Sequence, residues 1–239
     1  SDRGASDLTV AGKLFCDRFP PDKIPALPTC GIFLRREFPL KNNLEFPEGI
    51  HPCEDGLFSH FVLALTEKIS FCPEAVYHYR QHEQGNHHQI RKRTADILPM
   101  IPRWLSLIEE FYEQRHLWKR KAGHLVRFIE HEPFELRLLG MPFSPPEQEI
   151  LYSIIRDFLN AHCTAAECRR ASLHLPFRLL LKSSGFSDFG RRLRRAGKNT
   201  GIRRKLLHFC PVPSWRRNGR ARLRQVREQL EEIRRNITF

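Results

Sequence analysis

The chain is 239 residues long, 41% apolar and 28% charged, with 17 Pro and 13 Gly, a composition that suits a packed core and excludes a fibrous or wholly disordered protein. The formal net charge of +13 is confined to residues 191–239, which hold 16 Lys and Arg against 3 acids, while residues 1–190 balance at 24 against 24. Bulk positive charge is therefore excluded as a tool of the body and belongs to a tail.

Seven cysteines without a C-x-x-C pair indicate neither a disulfide framework nor a zinc ribbon, and predict reduced thiols. The longest aliphatic run, Phe61 to Leu65, falls far short of the roughly 20 residues that span a bilayer. Asp2 and Asp7 stand where a signal peptide is apolar. These features predict a cytoplasmic chain.

In chain order, residues 1–30 are short apolar pieces broken by Pro20, Pro21, Pro25 and Pro28, and read as loop. From Gly31 the sequence gives one short apolar element, a turn at Lys41-Asn42-Asn43, and a second turn at Pro47-Glu48-Gly49. A helix follows from Asp55, with Leu57, Phe58, Phe61, Val62 and Leu65 at the 3.6 period. Residues 69–80, β-branched and aromatic, read as a strand or a pair of short strands interrupted at Pro73. After a histidine-rich loop, everything from about Gln89 reads as helix, over 89–115, 117–131, 145–162 and 164–182, punctuated by Pro133, Gly140 and Gly185.

One ordered series carries chemistry: E-F-P-E-G at 45–49, Glu54-Asp55-Gly-Leu-Phe, a helix, a strand, then Y-H-Y-R at 77–80. In this series residues 29–88 resemble the second half of the catalytic domain of family 2 glycosyltransferases, whose fold is GT-A. The resemblance implies an α/β partial GT-A-like portion, followed here by a mainly α-helical region. It implies an inverting transfer of a sugar from a nucleotide-sugar donor to a glycan or lipid-linked acceptor, with Asp55 as the base and Glu54 beside it. It further implies a loop closing over the donor diphosphate, where Arg80 binds phosphate and His78 and His82 are ligands of Mn²⁺ or Mg²⁺. The bland readings stand beside these. Asp55 at a helix start is also a cap for backbone N–H groups, and His78 and Arg80 share one face of an alternating strand that is also simply solvated. The family holds its metal through an Asp-x-Asp pair in an N-terminal portion, and this chain contains no such pair. The expectation is either the C-terminal section of a longer enzyme, truncated at Ser1, or a decayed copy that does not bind a sugar nucleotide.

In the tail, Leu223, Val226, Leu230, Ile233 and Ile237 recur at helical spacing with Arg224 and Arg227 among the arginines between them. Upstream, Arg191, Arg192, Arg194 and Arg195 open a second basic segment, and Trp215 lies between the two. Four readings compete: an anionic membrane surface, a helix partner, nucleic acid, and an apolar stripe packed on the body beneath a solvated basic face. The membrane is the reading preferred, and nucleic acid the least favoured. The organisation expected is thus 1–88 as the glycosyltransferase portion, 89–185 helical and 186–239 a basic amphipathic tail, peripheral at the inner face of the plasma membrane. The rival to the enzyme is a non-enzymatic helical interaction protein that docks through this tail.

Overall fold

The computed structural model describes residues 29–66, 69, 90, 92–172 and 174–206, with positions 224, 226–228 and 230. These residues are helical and contain no strand, which corrects the expectation of an α/β GT-A-like portion. Residues 31–66 form α1 (Glu37–Lys41) and α2 (Glu54–Leu65). The short apolar element expected before the turn at Lys41-Asn42-Asn43 is α1, and it holds Pro39. Within the first turn of a helix backbone N–H groups have no partner to lose, so proline is tolerated there. The strand expected over 69–80 lies outside the described residues apart from Ile69, as do His78, Arg80, His82 and Trp215.

The chain divides into two units, Ser1–Glu132 and Pro133–Phe239. In the first, α2 packs on α3 (Thr94–Gln114) and α4 (Trp118–Ile129). Every residue from Gly56 to Ala64 is buried, so α2 is the central element of this unit and not an amphipathic surface helix. Trp104, Ile108 and Tyr112 of α3 and Leu125, Phe128 and Ile129 of α4 complete the core, with Phe61 stacked on Phe111 at 4.1 Å between centroids. Arg115 ties the end of α3 back to the turn after α1 by donating to the Asn42 carbonyl at 2.9 Å.

From Glu130 to Leu139 the helix widens into a π-helical stretch. Pro133 supplies a reason: in ordinary α register its ring clashes with the carbonyl of Ile129 and it has no N–H to donate.

In the second unit α5 (Pro145–His162), α6 (Ala165–Ala171), α7 (Leu175–Lys182) and α8 (Phe186–Leu206) surround Phe134, Leu151, Ile155, Phe177, Leu180 and Phe189. The start expected at Ser144 is observed, with Glu147 accepting from the Ser144 N–H at 2.7 Å. The single helix expected over 164–182 is two. Pro176 cannot bond the Ser172 carbonyl, which accepts instead from the Arg178 guanidinium at 2.9 Å. Arg156 donates to the carbonyls of Leu180 at 2.7 Å and Ser183 at 2.7 Å, closing the end of α7.

Candidate functional site

The segment leading into α2 is held from both sides. Phe46 stacks on Phe58 with centroids 4.1 Å apart, and Ile50 and Cys53 are buried beneath it. Gly49 turns the chain at φ 65°, in the left-handed region where glycine carries no steric penalty, so the F-P-E-G motif is the turn that delivers residues 50–55 to the helix. Cys53, the residue before the first helical turn, also sits at positive φ (94°), which costs a non-glycine residue roughly 1–2 kcal/mol and is met here by burial of its side chain. No side chain caps this helix end, which leaves the first-turn acids to do so.

Asp55 does this in part: its Oδ1 accepts the Gly56 N–H at 2.8 Å. The residue remains open to solvent. Crowding around the carboxyl group raises its pKa above 3.8; the Gly56 N–H opposes that shift, and the Glu54 and Glu132 carboxylates add to it. The structural and the catalytic readings therefore meet in one group, with one oxygen engaged by the backbone. Glu54 points elsewhere, with Oε1 at 3.1 Å from His51 Nδ1.

Glu132 was not legible in the sequence. It comes from the π-helical stretch, is buried, and lies against α2 where Gly56 has no side chain: a Cβ there stands 3.3 Å from Glu132 Oε1 and 3.0 Å from Cys53 Sγ. A second group missed is fully buried in the same unit. Tyr112 Oη lies 3.1 Å from His60 Nε2 and 3.4 Å from His124 Nδ1, and the two imidazoles stack at 4.2 Å. His60 and Tyr112 lie 52 residues apart in sequence, so no local pattern announces their contact.

Among the described residues no group of three or more His, Cys, Asp and Glu side chains is arranged to hold a metal ion. No step below passes through one. Of the basic residues, Arg191, Arg192, Arg194 and Arg195 are exposed on α8, and Arg224 and Arg227 are exposed farther on. At 100° per residue Arg191, Arg194, Arg195 and Lys198 fall on one arc of α8, opposite the buried Phe186, Phe189 and Leu193. Asp188 pairs with Arg191 at 3.2 Å and with Arg192 at 2.8 Å. No helix among the described residues is long and apolar enough to cross a membrane.

A comparison of the chain with models of known protein families gives no match. Comparisons with curated proteins and with solved structures give none either.

Proposed function

We propose that the chain carries the acceptor-side segment of an inverting glycosyltransferase that resembles family 2, using a nucleotide-sugar donor and a glycan or lipid-linked acceptor. The observation that supports this most is Asp55: a solvent-open carboxylate on the first turn of a buried helix, with a raised pKa, inside the motif series read from the sequence. The Gly56 N–H holds Oδ1, which leaves Oδ2 to take the acceptor hydroxyl proton. As that proton leaves, the acceptor oxygen attacks the anomeric carbon from the face opposite the diphosphate, and the carbon–diphosphate bond breaks with inversion. A carboxylate with a raised pKa is a stronger base than an ordinary one. Donor diphosphate binding falls to Arg80 in this reading, and a Mn²⁺ or Mg²⁺ ion, if bound, would be held by His78 and His82 and would neutralise charge on the leaving group. Asp55→Asn keeps the oxygen that accepts from Gly56 and removes the base. It should lower transfer of labelled sugar from a nucleotide-sugar panel by about 10²- to 10⁴-fold. Near-normal turnover sinks the assignment.

A second reading concerns location and rests on the cationic arc of α8. We infer that this arc faces anionic phospholipid at the inner leaflet of the plasma membrane, each lysine or arginine near the surface contributing about 1 kcal/mol. The packed side of α8 is already covered by its own unit, so this is attraction by charge with no apolar insertion from α8. Flotation with vesicles containing phosphatidylserine is expected, and none with phosphatidylcholine alone. Equal flotation with both, or preferential binding to RNA, overturns it.

A further inference from the structure

The core of the first unit joins three helices at one hydroxyl. His60 of α2, Tyr112 of α3 and His124 of α4 are fully buried, and Tyr112 Oη stands 3.1 Å from His60 Nε2 and 3.4 Å from His124 Nδ1. The two imidazoles lie face to face, with centroids 4.2 Å apart and planes 12° from parallel. Phe128 lies 4.3 Å from the His60 ring, Phe61 6.2 Å from it, and Trp118 5.2 Å from the Tyr112 ring, so aromatic carbon lines the group.

One hydroxyl proton serves both contacts while the imidazoles are neutral. The O–H then donates to one ring nitrogen, and the other ring donates its N–H to the hydroxyl oxygen. With both rings charged every ring nitrogen is a donor, the hydroxyl proton loses its acceptor here, and two cations stand face to face away from water. The ionisable groups on the packed elements are placed poorly to offset that charge. Glu109, Glu110 and Glu113 of α3 are exposed, and Glu113 accepts from Trp118 Nε1 at 2.6 Å. Lys121 and Arg127 of α4 are half-buried cations, as His131 would be on protonation. The acids buried among the described residues of this unit, Glu130 and Glu132, come from the π-helical stretch, and Glu132 stands at Gly56, one turn along α2 from His60.

We propose that His60, Tyr112 and His124 form an acid-released latch that fixes α2, the helix whose first turn carries Asp55, to α3 and α4. A free imidazole is neutral above about pH 6.5, so there the unfolded chain gains no proton on these rings and the latch holds fully. Below that value the unfolded chain binds a proton on each ring and the folded core binds neither. Folding of the unit then loses ground by up to two protons, and the hold on α2 weakens as pH falls. The latch works in this way whether or not Asp55 is a base.

Urea unfolding of the full chain at about pH 7.5 and about pH 5.5 tests it, followed by tryptophan fluorescence, to which Trp104 and Trp118 of this unit contribute. Between the two conditions the wild-type unfolding constant should rise about a hundredfold more than that of a His60→Phe, Tyr112→Phe, His124→Leu variant, whose core has no group to protonate there. His124→Gln keeps an amide for the Tyr112 hydroxyl and one titrating ring, and should retain an excess of about tenfold. A measurement on the wild type stands beside these in case the triple variant does not fold. In the ring-nitrogen NMR spectrum of the folded chain at about pH 5.5, two histidines should still be neutral, and the signals of one of them should vanish in His124→Gln. One pH dependence shared by wild type and variants, or no neutral histidine signal that His124→Gln removes, overturns the latch.

Discussion

Replacing Asp55 with Asn keeps an acceptor for the Gly56 N–H and removes a charge that the fold disfavours. Because the folded pKa is raised, the fold gains most from Asp55 when it is protonated. That gain is lost as pH climbs from the ordinary 3.8 through the raised folded value. Asp55→Asn should therefore be at least as stable as the wild type at pH 7 and lose that advantage in acid, read as a thermal midpoint followed against pH, while transfer collapses. A purely structural cap would keep its stability too, because Asn retains the acceptor, and would have no chemistry to lose, so the loss of transfer is what separates the two readings. Tyr112 makes the opposite case within the same unit. Its hydroxyl bridges two buried imidazoles, so Tyr112→Phe leaves ring nitrogens of His60 and His124 short of a partner in a place water does not reach. The cost should be about 1–3 kcal/mol in denaturant unfolding, far above that of losing a surface hydroxyl.

Among the elements, α8 shows how charge and packing divide the work. Asp188 accepts from the Ser184 N–H at 3.1 Å before the helix and from Arg192 at 2.8 Å within it. Those bonds, the Arg192 one foremost, hold its carboxyl down to about 2. A lowered pKa stabilises the fold above the ordinary 3.8 and loses that effect as pH falls through about 2. Asp188→Asn should speed amide hydrogen exchange over residues 186–190 at neutral pH, and the difference from wild type should vanish near pH 2. Helix starts of this kind were legible in the sequence because Ser144 and Glu147 stand three apart ahead of an apolar period, and the helix observed is Pro145–His162. Other elements were not legible. The break at Ser172 needs a proline four residues on and an arginine to take up the freed carbonyl, and the reading over 164–182 weighed neither. The helix ending expected near residue 131 fails for a different reason. Ile129, Phe134 and Leu139 are buried at spacings of five, a π period that a search for 3.6 does not find. Glu132 was lost with it, so Asp55 was legible and the buried carboxylate near it was not.

At the scale of the whole molecule, the part of the basic tail that is described, Arg191 to Lys198, presents an exposed cationic face on α8. Attraction to anionic vesicles through such a face is screened by salt, with a Debye length of about 10 Å at 0.1 M and about 3 Å at 1 M. Vesicle flotation should therefore fall steeply over that range. An Arg191→Gln, Arg195→Gln double variant, changed on the exposed arc alone, should weaken it without altering the thermal midpoint, and a variant that floats like wild type removes these two positions from the contact. The α/β expectation for residues 1–88 failed because it was inferred from motif order and not from a strand pattern: the E-D-G-L-F helix is where the series put it, and no strand stands beside it among the described residues. The π-helical stretch has one more consequence, and it lies in descent. It spans the boundary between the two units and carries one residue more per pair of turns than an α-helix can seat. A homologue lacking Pro133 and one residue of this stretch is free to return to ordinary α register. Single-residue length differences among relatives of this chain should therefore gather between Glu130 and Leu139, and a relative that keeps the longer form should keep Glu132 with it.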